Sequence, residues 1–247
     1  MKKIRVFMMM LVVLAVMAVS VNAGVIFQDD FDSYGGVWVD TLPNASGGVW
    51  TTAPWGTGAA GSDVKVGDLA PGKAYFSNGY YADVARFATV TTTTDLSDYT
   101  VSVEAWAHGT TAMPRWYAAG RVAGGNYIAA GVAVGSGEVY LDFKESTGTE
   151  PSAMWYVADW NMEEPIYIDL TLSGDTVTAT VTHVGFSVTQ SYTTSILDAG
   201  AFGFGGHNPW GYATGEFDNF SVIPEPATMA LLSIGFGLIS LKKKKQV

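Results

Sequence analysis

Between Gly24 and Ile223 no apolar period of 3.6 residues lasts long enough to build an amphipathic helix. Short β-branched and aromatic runs alternate instead with clusters of Gly, Asn, Asp, Ser and Pro, the punctuation of strands joined by tight turns. Tyr99–Ala107 sets Val101, Val103 and Ala105 on one face and Ser102, Glu104 and Trp106 on the other. Ile166–Leu172 alternates likewise, and Ser173-Gly174-Asp175 then signals a hairpin into Thr176–Val184. The same reading predicts strands over Val25–Phe31, Ala74–Phe76, Arg86–Thr91, Trp116–Val122, Tyr127–Val134 and Val139–Lys144. Further candidates are Met154–Ala158, Phe186–Ser191, Phe202–Gly205 and Phe217–Val222. About a dozen strands without a helix indicate an all-β sandwich or jelly roll of two antiparallel sheets. Some 200 residues give such a fold ample chain for one core.

The two ends read differently. Residues 1–23 carry a basic start (Lys2, Lys3, Arg5), an apolar run from Val6 to Val19, and small residues at Val21 and Ala23. That is the pattern of a signal peptide cleaved by signal peptidase before Gly24, with a retained membrane anchor as the alternative. Residues 224–247 comprise Pro224-Glu225-Pro226, an apolar stretch Ala227–Leu241 and the cluster Lys242–Lys245. As a helix the stretch measures ~22 Å at ~1.5 Å per residue, short of the ~30 Å hydrocarbon core. Flanking lysines extend it by snorkelling, and their charge holds this end in the cytoplasm.

The Pro224, Glu225, Pro226 motif, the short Gly-containing transmembrane helix and the lysine terminus resemble the PEP-CTERM sorting tail of Gram-negative bacteria. The resemblance implies an exosortase, a membrane cysteine protease, as processing partner. It implies a mature protein that is exported, transiently anchored in the inner membrane, and then attached at the cell surface or released into the exopolysaccharide. A simple C-terminal anchor is the alternative.

Two acidic-apolar segments bracket residues 24–223: the opening Phe27-Gln-Asp-Asp-Phe-Asp32 and the closing Gly215–Val222. Their shared alternation predicts pairing of first and last strands, as in sandwiches whose termini lie together. This bracket, with the strand from Asp95 to Ala107 and the hairpin from Ile166 to Val181, resembles the concanavalin A-like, laminin-G-type (LamG) jelly roll. That resemblance covers roughly residues 25–222. It implies two stacked antiparallel sheets, frequent structural calcium, and recognition of glycans or proteins, with glycan-cleaving enzymes among the members.

Charge and composition narrow the function. Seven of the 13 basic residues and one of the 23 acidic residues lie in the end segments, leaving six and 22, a net charge near −16 for residues 24–223. Such a surface repels phosphate backbones and excludes nucleic acid as a partner. The chain has no cysteine, which excludes thiol catalysis, thiolate zinc sites and iron–sulfur clusters.

No catalytic residue is assigned. Glycosidases need two carboxylates, about 5 Å apart when retaining and wider when inverting. The Glu-x-Asp-x-x-Glu string of the endoglucanase branch is absent, Glu163 and Glu164 sit beside Pro165, and Asp169 lacks a second carboxylate two residues away. Glu216 and Asp218 share one strand face and form the credible pair, in a place that suits calcium or solvation better. His108, His183 and His207 show no metal-ligand spacing, and no Gly-x-Ser-x-Gly elbow occurs. Glycines among Phe202–Gly206 mark a closely packed strand rather than a phosphate cradle.

Calcium takes six to eight oxygens. Asp29, Asp30 and Asp32 at the opening with Asp218 and Asn219 at the close form the candidate set, where a cation would clamp the two ends; the alternative is an acidic, solvated edge that discourages aggregation. Aromatic faces stack on sugar rings while amides and charged groups bond the hydroxyls. Trp155 and Trp160, with His207, Asn208, Trp210 and Tyr212, combine these types near loops and are the candidate ligand-binding residues, although most Trp in a sandwich fill its core. The expectation is a non-enzymatic surface protein that binds glycan or serves as scaffold in exopolysaccharide. The alternatives are a glycan-cleaving enzyme and a purely structural surface protein.

Overall fold

The computed structural model describes residues 25–32, 50–54, 63–66, 72–78, 86–90, 96–108, 113–207 and 213–225. The signal segment 1–23, the apolar stretch Ala227–Leu241 and the lysine terminus lie outside them. The strands run β1 (Phe27–Asp29), β2 (Trp50–Pro54), β3 (Asp63–Val66), β4 (Ala74–Asn78), β5 (Arg86–Val90), β6 (Tyr99–His108), β7 (Arg115–Ala123) and β8 (Asn126–Gly135). They continue as β9 (Glu138–Glu145), β10 (Trp155–Asp159), β11 (Ile166–Ser173), β12 (Thr176–His183), β13 (Phe186–Thr193), β14 (Ala201–His207) and β15 (Ala213–Pro224).

These strands form two antiparallel sheets. The first has the order β13-β12-β11-β6-β15-β4-β3, with β1 also pairing β15, and the second β10-β9-β8-β7-β14-β5-β2. The expected closure of the fold by its ends is realised: Phe27 pairs Val222 and Asp29 pairs Phe220. Two strands, β2 and β3, went unpredicted because their sequences, WTTAP and DVKV, are too short to show a period.

The inner faces follow from alternation. Val101, Val103, Ala105 and Ala107 of β6, with Ile166, Ile168, Leu170 and Leu172 of β11, enter one core. They share it with Ile128, Ala130, Val132 and Val134 of β8 and Val139, Leu141 and Phe143 of β9. One end of the core is aromatic: Trp50 lies 5.4 Å from Phe27, 5.2 Å from Phe204 and 5.2 Å from Phe220 between ring centroids. Edge-on packing of this kind adds about 0.5–1.5 kcal/mol per pair beyond area burial.

Asp29 is part of that packing. Its Oδ2 accepts the Trp50 indole N–H at 2.9 Å and its Oδ1 the Phe31 N–H at 2.9 Å, so the buried carboxylate is bonded at both oxygens. Arg121 ties the other loops together. A bulge between Gly120 and Ala123 of β7 sends this side chain inward, where its guanidinium donates to the carbonyls of Ser97, Ile196 and Gly174.

Candidate functional site

The outer face of the second sheet is built on a floor of small residues. Strand registers align Asp142 of β9, Gly131 of β8, Tyr117 of β7 and Gly205 of β14 in one row. Because Val139, Leu141 and Phe143 enter the core, Tyr140, Asp142 and Lys144 project to the opposite face. On β8 the corresponding positions are Ala129, Gly131 and Ala133, which the longer neighbours cover. At Gly131 a β-carbon would stand 1.9 Å from the Trp116 carbonyl oxygen, so no side chain fits there.

Polar groups gather over this floor. The Tyr117 hydroxyl donates to Asp142 Oδ2 at 2.6 Å, and Arg115 Nη1 lies 3.4 Å from the same oxygen. Lys144 Nζ bonds Glu150 Oε1 at 3.2 Å. The other oxygen, Glu150 Oε2, is buried with no hydrogen-bond partner among the described residues. Beside these groups lies a depression of about 240 Å³ lined by Arg115, Asp142, Lys144, Glu150, Ser152 and Met154, among others. Burial pushes the Asp142 carboxyl above the ordinary carboxylate range, against the opposing pull of Arg115 and Tyr117. Burial, reinforced by the Asp142 charge, also holds the Tyr117 phenol well above its usual range. The depression therefore offers two cations, two carboxylates and one unused buried acceptor, a balanced set for bonding neutral or weakly charged polar ligands. It also holds an uneven pair of carboxyl groups, one desolvated and one paired with lysine.

Of the described residues singled out in the sequence, none is among those that line this depression. Trp155 packs edge-on against Phe143 at 5.9 Å, and both it and Trp160 lie partly buried against the core. The backbone of His207 pairs Arg115 at the end of β14. Asn208, Trp210 and Tyr212 lie outside the described residues. His183 is a core histidine: its Nε2 accepts the Asn161 N–H at 3.0 Å, which leaves Nδ1 to donate to the Pro165 carbonyl at 3.2 Å. A neutral ring satisfies both contacts.

The acidic residues at the ends have contacts of their own. Asp29 is committed to Trp50 and Phe31, Asp30 Oδ1 accepts the Asp32 N–H at 3.2 Å, and Asn219 is exposed at φ 50°. Among the described residues no group of three or more Asp, Glu or His is arranged to hold a metal ion. The Asp218 carboxyl is pushed up to about 6, chiefly by burial, with Glu104 and Asp32 adding repulsion and the Asn219 N–H and Lys73 opposing it. Pro224 ends β15 and Glu225 follows it, while Pro226 lies outside the described residues.

Sequence reasoning missed Arg115, Tyr117, Asp142, Lys144 and Glu150. The available signal was β8, whose Ala and Gly at alternate positions leave one face without bulk, flanked by strands carrying polar residues at the matching period.

No protein-family model matches the chain, and no curated protein matches it by sequence. Solved structures do share its fold. An endo-acting O-glycanase of the human gut microbiota superposes with a TM-score of 0.53 at 14% identity, covering 82% of this chain and 100% of that one. A sialidase does so with a TM-score of 0.51 at 8% identity, over 81% of this chain and 19% of its own. A protein of unknown function from Saccharomyces cerevisiae gives 0.50 at 16% identity, over 72% and 96%. At these identities the likeness is one of fold.

Proposed function

We propose that the sandwich is a concanavalin A-like jelly roll that recognises glycan through the outer face of its second sheet, in an exported protein sorted by a PEP-CTERM tail. The observation that carries the recognition is the polar depression lined by β7, β9 and the segment that joins β9 to β10. There Arg115 and Lys144 supply donors, and Glu150 Oε2 supplies a buried acceptor without a partner among the described residues. An unsatisfied buried acceptor costs about 1–3 kcal/mol, and a sugar hydroxyl would relieve that cost. Solved relatives of the fold that act on mucin glycans, or are named as sialidase, support the ligand class. The sorting role rests on Pro224, Glu225, Pro226 and the tail that follows. Structural calcium remains part of the proposal through Asp32 and Asp218 alone.

The pair Asp142 and Glu150 favours a second reading, a glycan-cleaving enzyme. Burial that raises the Asp142 carboxyl above the ordinary carboxylate range moves it toward the role of a general acid, and Glu150, lining the same depression, supplies the second carboxylate.

A glycan-array screen of the purified protein, followed by calorimetry on any hit, tests both readings. Binding lost in Lys144→Ala and Glu150→Gln, without change in melting temperature, supports recognition at this site. Binding untouched by either substitution would remove the depression from the argument. Release of new reducing ends, abolished by Asp142→Asn, would move the protein to the enzymatic reading.

A further inference from the structure

Among the described residues the first sheet has edges at β13, β3 and β1 and the second at β10 and β2, and natural sandwiches blunt such edges with charge, proline, bulges or brevity. Four of these five edges carry such devices. β1 is three residues long and β3 four, β2 closes on Pro54, and β10 has a register break between Tyr156 and Ala158 and ends on Asp159. The fifth, β13, has none: Phe186–Thr193 contains no charge and no proline, and its pairing with β12 runs unbroken from His183–Phe186 to Thr176–Thr193.

The two-residue turn Val184-Gly185, with φ of 43° and 81°, makes His183 and Phe186 a hydrogen-bonded pair. Alternation then turns the amides and carbonyls of Phe186, Val188, Gln190 and Tyr192 toward β12, and those of Ser187, Thr189 and Ser191 toward the free edge. The Thr194 N–H bonding the Asp175 carbonyl at 2.8 Å fits the same phase. Ser187, Thr189 and Ser191 are exposed.

We infer that β13 pairs antiparallel with β13 of a second copy, about a two-fold axis at Thr189. Charge selects that occupant. Two domains near −16 repel one another, yet residues 176–193 hold no Asp, Glu, Lys or Arg, so this hairpin is where two copies can approach. The register is self-complementary. Centred on Thr189, it sets Ser187 opposite Ser191, Val188 opposite Gln190 and Phe186 opposite Tyr192 of the other copy, every pair on a common face. About six hydrogen bonds form, and Phe186, 64% exposed, gains an aromatic neighbour. The two first sheets become one continuous sheet.

The absence of cysteine makes the test direct. In the full chain in detergent, Thr189→Cys should oxidise to a disulfide-linked dimer. The expected Cα separation of about 5.5 Å lies inside the ~4.4–6.8 Å range of disulfides. Thr180→Cys, one strand inward on the same face, should form no disulfide-linked dimer. Thr189→Lys should abolish the sedimenting dimer at unchanged melting temperature. A wild-type monomer, equal cross-linking by the two cysteines, or association that survives Thr189→Lys would each overturn the inference.

Discussion

Arg121 is buried at 1% exposure and donates to three carbonyls from separate loops. Its replacement by Leu leaves those carbonyls unbonded in place of a filled network, a loss of about 3 kcal/mol in urea unfolding. Arg121→Lys should recover only part of it, because a single ammonium cannot reproduce the planar fork. This residue was not legible in the sequence. Alternation along β7 assigns it to the outer face, and only the bulge after Gly120, which leaves no mark on apolar periodicity, turns it inward. Asp218 permits a signed test. Its folded value of about 6 exceeds the ordinary 3.8, so its contribution is fully present below the unfolded value and is lost as pH rises through the folded one. In chelator, Asp218→Asn should therefore raise stability at pH 7.5 by on the order of 1 kcal/mol, after discounting for solvent screening. It should change nothing at pH 3.5. A calcium ion held by Asp32 and Asp218 reverses that sign at pH 7.5 when calcium is added; the same sign with and without calcium removes the clamp.

At the scale of single elements, the strands with long alternation were the readable ones. β6, β11 and β12 bury every second residue, and the sequence shows this without ambiguity. β8 is different: eight of its ten positions are buried, on both faces, because small residues on the outer side sit beneath the side chains of β7 and β9. That burial depends on registers between strands, which no single strand encodes, and the candidate site built on it stayed hidden for the same reason. Gly131 carries the consequence. Its substitution by Val would drive a side chain into the backbone of β7, with an expected cost of about 2 kcal/mol or more. Urea denaturation measures it, and a midpoint equal to wild type would show that β8 can shift to make room.

For the whole molecule, the fold class was legible because turn chemistry and strand period agree along the chain, and pairing of the ends because both segments share one alternation. The net charge near −16 of residues 24–223 opposes compaction by self-repulsion. Sodium chloride screens it, with a Debye length of about 30 Å at 0.01 M and about 8 Å at 0.15 M. The melting temperature should rise over that interval, and a flat or falling profile would show that local ion pairs outweigh the general field.

The pairing of β1 with β15 places the Ile26 N–H 3.0 Å from the Val222 carbonyl oxygen, so chain entry and exit share one end of one ladder. Tension applied between these two points opens the ladder one rung at a time, the weakest way to load hydrogen bonds. Tension between residue 222 and the far sheet instead draws β15 lengthwise against β4 and β6, straining many rungs together. A domain gripped only at its exit and pulled through whatever it binds would thus resist far greater force than one pulled by its two ends.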